Sequence, residues 1–344
     1  MHSAPLTVTL VLGACPPERR TVARRIANDL AALVTIERPI GVGSIATLID
    51  EAVDALLAHP VPPRRLVIDC GATVQPVDAV SAVITRAPDV LLDAVVTVVD
   101  AAHIPLDLED DRYIGHPSAD VVAYTSRAMI TMEQLEYADT IAVAGRHGVS
   151  HERLAVLLAL LSNLNPTALV RLADASRTAR YTDSPFDLDR FTGSPGWVST
   201  INGEHTPWVE HPRVTTTLFE SARPMHPGRL LDLFDGPIEA GRFGRIVRTA
   251  GFCQLASRGS AIGMLQQVGT MLELDPTPFD ASHPETAIGQ ELVFTGIDVD
   301  TAALLAALHD CTLTDAELLA DPVTWAGFPD AFTVWLEPHP TDRD

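Results

Sequence analysis

The sequence predicts an α/β chain in two parts: a mostly parallel sheet with helices on both faces, followed by a smaller α+β domain. Three observations carry this. Short β-branched runs alternate with helical patterns through the first half, which requires right-handed crossovers between parallel strands. In the second half, strand-like runs follow one another with helices between them. Finally, 344 residues exceed what one core usually supports, since single cores stop growing near roughly 250 residues.

Taken in order, LTVTLVLG, RRLVIDCG, DAVVTVVD and DTIAVAG read as strands, because they are apolar, β-branched and short. Between them RTVARRIANDLAAL, SIATLIDEAVDALLAH, VDAVSAVITRA and TMEQLEYA have helical spacing. A further helix, SHERLAVLLALLSNLNP, stops at Asn165-Pro166. These segments set a first domain at residues 1–172. Residues 173–212 are rich in Pro, Gly, Ser and Thr and read as a linker. A second domain at 213–320 opens with the strand VTTTLFES. It continues with the helix HPGRLLDLFDG, the strands GRIVRTAGFCQLA, GTMLELDP and QELVFTGID, and the helix DTAALLAALHDC. Residues 321–344, with four prolines, read as a loosely packed tail.

Composition narrows the function classes. Apolar residues make up 47% of the chain and charged residues 20%, with no apolar run of spanning length and no basic-then-hydrophobic N-terminus, so a cytoplasmic location is expected. The net charge of −21 repels phosphate backbones, which argues against direct nucleic-acid binding; an acidic surface suits a basic protein partner or a cation, or serves solubility alone. Cys15, Cys70, Cys253 and Cys311 are too scattered for a disulfide framework or a compact zinc knuckle. All 24 basic residues are arginine, so no chemistry that demands a lysine operates in its usual form.

Several phrases together resemble one family. RPMHPGRLLDLF, GRIVRTAGFCQLASR and QELVFTGIDVDTAALLAALHDCTLTDAEL are similar to the C-terminal domain signature of the CobW family of P-loop GTPases, many of which serve as zinc metallochaperones. LDAVVTVVDAAH, EQLEYADTIAV and LNPTALV sit where that family has matching phrases in its first domain, and the resemblance covers roughly residues 6 to 320. It implies a P-loop NTPase-like first domain and a CobW C-terminal-like second domain.

The family's chemistry can then be checked residue by residue. A phosphate loop needs Gly-x4-Gly-Lys-Ser/Thr, because glycines let N–H groups approach the phosphates, the lysine reaches them and the hydroxyl ligates Mg²⁺. Gly13 matches the first glycine, while Glu18, Arg19 and Arg20 stand at the other three positions and Pro16 and Pro17 remove two donors. Thr21 serves as metal ligand only if the alignment slides. Where the family reads guanine, this chain has AGRHG, with Ala144, Gly145 and His147. In IDCGATVQP, Asp69 keeps a carboxylate and Ala72 replaces a glycine that would contact the γ-phosphate. The thiol cluster that would bind zinc is replaced by Val42, Ser44 and Ile45 after Gly41. With about ten residues between the first helix and that segment, an intervening strand and first switch read as deleted.

Asp69 and Asp100, at the ends of neighbouring predicted strands, are left as candidates at the crevice, with Gly13, Arg19 and Thr21 as remnants of nucleotide binding. His205 and His211 are weak metal candidates, and His226 reads as a structural residue at a helix start. The expectation is therefore a non-catalytic adaptor that binds a protein partner and needs neither GTP–Mg²⁺ nor zinc. The resemblance implies a role in zinc homeostasis or zinc starvation, including ribosome remodelling or recruitment of a hibernation factor. A residual GTP-binding zinc metallochaperone, and a different small-molecule activity in the same crevice, stand as alternatives.

Overall fold

The computed structural model describes residues 5–30, 33–36, 45–59, 64–117, 122–173, 186–281, 289–333 and 335. It divides into two compact units, one of residues 1–199 with 205–211, the other of 200–204 with 212–344.

The first unit alternates β1 (Leu6–Leu12), α1 (Pro16–Leu30), β2 (Leu33–Ile36), α2 (Ile45–Leu57), β3 (Arg65–Gly71), α3 (Pro76–Ile84), β4 (Val90–Asp100) and α4 (Ile104–Asp107). A two-stranded antiparallel hairpin follows, β5 (Tyr113–Pro117) and β6 (Val122–Ser126). Then come α5 (Arg127–Glu136), β7 (Thr140–Ala144), α6 (His151–Leu164), β8 (Leu169–Leu172) and the short helices α7 (Leu188–Thr192) and α8 (Gly196–Ile201). Six strands form one sheet in the order β2-β3-β1-β4-β7-β8, every neighbouring pair parallel. The predicted α/β class and its helices on both faces are present.

Strand period explains the two-sided burial. Val8, Leu10 and Leu12 of β1 face a core with Ile49 and Val53 of α2 and Val80 and Val83 of α3. Val11 faces the opposite core, shared with Val22, Ala23 and Ile26 of α1 and Val96 and Val98 of β4. Each such fully buried aliphatic side chain contributes about 1.5–3 kcal/mol.

Two expectations change here. The intervening strand read as deleted is present as β2, paired in parallel with β3 from Leu33 to Ile36. The expected linker is in part a folded piece of the first unit. Asp187 caps α7, Phe191 is buried with its ring 5.1 Å from Tyr137 and 5.6 Å from Phe186, and Arg190 pairs with the nearly covered carboxylate of Asp139.

The second unit contains β9 (Val214–Ser221), α9 (Pro227–Leu233), β10 (Arg245–Cys253), β11 (Ala261–Val268), β12 (Met271–Asp280), β13 (Gln290–Ile297), α10 (Thr301–Cys311), α11 (Asp315–Leu318) and α12 (Pro322–Ala326). Its five strands are antiparallel in the order β12-β11-β10-β13-β9. Phe219, Leu265, Leu292 and Phe294 from the sheet close one core with Leu230 and Leu233 of α9 and Leu304 and Leu308 of α10. Part of the expected tail belongs to this core, for Phe332 is only 8% exposed and sits in the same cluster.

Candidate functional site

The sheet order puts β1 between β3 and β4, and the crevice beyond the C-terminal ends of such strands is where open α/β sheets take ligands. Gly13 ends β1 with φ +138, and a Cβ there would lie 2.2 Å from the Val98 carbonyl oxygen, so only glycine fits between the strands. Helix α1 already begins at Pro16, with the Arg19 amide donating to the Cys15 carbonyl at 3.0 Å. The turn is therefore three residues long, and the positions that would wrap a phosphate are wound into the helix.

Arg19, expected from the sequence to stand where a phosphate loop has its lysine, has no solvent exposure. Its Nη1 donates to the Gly13 carbonyl at 2.6 Å and its Nε donates to Asp69 Oδ1. Asp69 stands on β3 opposite Val11. Its second oxygen, Oδ2, is buried and accepts no hydrogen bond. Thr21 is turned away from this centre: it is exposed and its hydroxyl donates to the Pro17 carbonyl at 2.8 Å.

Asp100 is not on a strand neighbouring that of Asp69, because β1 separates β3 from β4. Its Oδ1 accepts from the amides of Ala102 at 2.7 Å and His103 at 3.1 Å, closing the turn after β4. Gly145, at the end of β7 with φ +68, leaves room for this carboxylate, since a Cβ would fall 2.5 Å from Asp100 Oδ2. The chain after β7 is a single turn, Arg146–Gly148. Sequence reasoning missed Cys15 and Asp107, which lie 92 residues apart. The thiol donates to Asp107 Oδ2 at 3.6 Å, and burial, reinforced by that carboxylate, pushes it up to about 12. Burial also raises Asp107 above the usual carboxylate range. Cys15 is thus a protonated donor that orders the turn rather than a nucleophile.

A Mg²⁺–phosphate group would find two of its usual partners in this site. Asp69 Oδ2 is an orphaned buried acceptor, and Arg19 is a buried cation beside it. The run of backbone donors is missing, because the loop is short and Pro16 and Pro17 carry no N–H.

Zinc fits less well. No group of three or more His, Cys, Asp or Glu that could hold a metal occurs among the described residues. His205 has both nitrogens engaged, Nδ1 with Ser199 Oγ at 3.1 Å and Nε2 with Asn163 Oδ1 at 3.3 Å. His211 Nε2 lies 3.6 Å from Glu152 Oε1. Gly41, Val42 and Ser44, read as replacing the zinc motif, fall outside the described residues, while Ile45 begins α2.

Residues 214–312 match the model of the cobalamin synthesis protein CobW C-terminal domain. The chain is 25% identical over 282 residues to a zinc-regulated GTPase metalloprotein activator 1 of Dictyostelium discoideum. That match covers 74% of the chain and 57% of the relative, so the chain spans a little over half of the relative's length. Among solved structures it is similar to the Zn(II)-bound YjiA GTPase from E. coli, at 15% identity and a TM-score of 0.38. That match takes in 90% of this chain and 99% of the other. A triple mutant of the same GTPase is similar at 16% identity and a TM-score of 0.39. The expectation that the chain needs neither GTP–Mg²⁺ nor zinc does not stand against a curated relative that is by name a GTPase and zinc-regulated. The second unit thus carries a domain that matches the CobW C-terminal model, behind a first unit whose parallel sheet leads from β1 into α1 through a short glycine turn.

Proposed function

We propose that the protein acts in zinc handling as a guanine-nucleotide-binding metallochaperone of the CobW type, with the nucleotide docking at the β1–α1 turn. The observation that carries this reading is the buried Asp69 oxygen without a partner beside the buried Arg19 guanidinium. A carboxylate oxygen kept dry and unpaired costs about 1–3 kcal/mol unless a cation or water meets it. Asp69 would hold Mg²⁺ and Arg19 a phosphate oxygen, where an arginine suits planar, two-point recognition. The bound nucleotide would supply the charge that draws Arg19 from the Gly13 carbonyl. The similarity to a relative that is by name a zinc-regulated GTPase metalloprotein activator supports placing this chain in zinc handling.

Titration calorimetry of the full chain with GTP–Mg²⁺, GDP–Mg²⁺ and Zn²⁺ tests this reading. Micromolar nucleotide binding is expected, weakened at least about tenfold in Asp69→Asn. The absence of heat with both nucleotides in the unaltered chain would overturn it.

A second reading is favoured by the short, proline-bearing turn, which lacks the donors that speed hydrolysis. In it the protein binds a protein partner without turnover, as an adaptor in the response to zinc scarcity, including at the ribosome. A pull-down from zinc-depleted cells recovering the same partner with the unaltered chain and with Asp69→Asn would support it. Recovery of no specific partner would count against it.

A further inference from the structure

Arg19 joins two acceptors that are themselves held in place. The Gly13 carbonyl that accepts from its Nη1 belongs to a residue wedged against the Val98 backbone, with no room for a Cβ. Asp69, which accepts from its Nε, lies within β3, paired on one flank to Val11 of β1 and on the other to Ile36 of β2. The chain after β3 is tied down as well. Buried Gln134 of α5 donates its Nε2 to the Val74 carbonyl at 2.8 Å, and Gln75 Nε2 donates to Glu133 Oε2 at 3.2 Å. Backbone packing thus fixes both acceptors, and what joins them is a long side chain with rotatable bonds.

The join is incomplete. An arginine fork commonly meets both oxygens of a carboxylate in two parallel bonds. Here Nε meets Oδ1 while Nη1 turns to Gly13, so Oδ2 stays buried and accepts no hydrogen bond. The guanidinium stands beside Asp69 where a cation would stand, and none of its surface reaches solvent. A phosphate attracts Arg19 outward, and a divalent cation on Asp69 repels it in the same direction. Both therefore favour the same second position of one side chain.

We propose, resting on the nucleotide reading above, that Arg19 is a gate: it bridges Gly13 and Asp69 to shut the phosphate subsite, and it swings off both to admit a nucleotide phosphate with its cation. Such a gate is a two-state element, and the apparent affinity is the intrinsic one reduced by the fraction of molecules that stand open. A lysine in its place keeps the positive charge yet lacks the fork that spans two acceptors, so it holds the gate less well.

Stopped-flow fluorescence of the full chain with methylanthraniloyl-GTP and Mg²⁺ tests the gate. In the unaltered chain the observed rate is expected to level off as nucleotide rises, because opening becomes limiting. Arg19→Lys is expected to bind at least about tenfold faster at saturating nucleotide, and more tightly at equilibrium. A linear rise in the unaltered chain, or a folded Arg19→Lys that binds no faster, would overturn the gate and leave the nucleotide reading standing. Binding by Arg19→Lys alone would support the gate and sink that reading for the unaltered chain. The unaltered chain's concentration dependence needs no variant, and it decides the matter if circular dichroism shows Arg19→Lys unfolded. If the unaltered chain does not bind and no folded Arg19 variant binds either, gate and reading fall together.

Discussion

Wholly buried, with its guanidinium shared between Asp69 and the Gly13 carbonyl, Arg19 compensates a carboxylate that no water reaches. Removing one partner of such a pair strands the other's charge, at a cost of about 3–5 kcal/mol, whereas replacing both by apolar groups is often near neutral. Arg19→Ala is accordingly expected to lower urea stability by that amount, and Arg19→Met with Asp69→Leu by much less. A single replacement costing under about 1 kcal/mol would show that Arg19 does not hold Asp69. His226 makes a different kind of contribution. Its Nδ1 accepts the Arg229 amide at 3.3 Å as the N-cap of α9, and its ring lies 4.6 Å from Phe328. Burial and then the Arg229 charge lower its pKa, against opposing pulls from Glu317 and Asp232. Because the folded value is depressed, the cap's contribution is in place above the unfolded value near 6.5 and is lost as pH falls below it, when Nδ1 takes a proton and ceases to accept. His226→Asn should flatten stability between about pH 5 and 7, while His226→Ala should lose about 1 kcal/mol at neutral pH, both read by denaturant unfolding.

At the scale of elements, the β1–α1 turn depends on Gly13, whose missing Cβ lets β4 approach. Gly13→Ala forces both a φ of +138 on a side-chain-bearing residue and a collision with the Val98 backbone, so a loss of at least about 2 kcal/mol is expected. Unchanged thermal unfolding of that variant would show that the turn shifts freely. This turn was legible in the sequence as strand, glycine and helix, and so were the buried strands β1, β3, β4 and β7, because each is a short β-branched run between helical patterns. The missed elements lack that contrast. The four residues of β2 follow directly on a helical pattern that reads on to Leu33, so it went unseen. The hairpin strand YIGHP carries Gly, His and Pro, and β11, AIGMLQQV, places Gln267 in the interior, where the Thr249 hydroxyl meets it at 2.8 Å. At the site, Arg19 was identifiable by its offset from Gly13. Its bond to Asp69 spans 50 residues and follows only from the parallel register of β1 and β3.

At the scale of the whole molecule, each unit closes its own core: the first around β1 with α1, α2 and α3, the second around its antiparallel sheet with α9 and α10. A buried substitution acts through the packing it disrupts, and local stability is lost in contiguous cooperative pieces rather than evenly along a chain. Arg19→Lys keeps a cation but cannot reproduce the fork that spans Gly13 and Asp69, so faster hydrogen exchange is expected in β1, β3 and α1. Phe332→Ala empties a place in the other core, at a cost of about 3–5 kcal/mol, and should release β10, β11 and β12. Mass-resolved hydrogen exchange on the full chain reads both variants in one experiment. If either substitution loosens the strands of the other unit as much as its own, the two cores unfold as one cooperative body, and a ligand at the β1–α1 turn would then stabilise the second sheet as well.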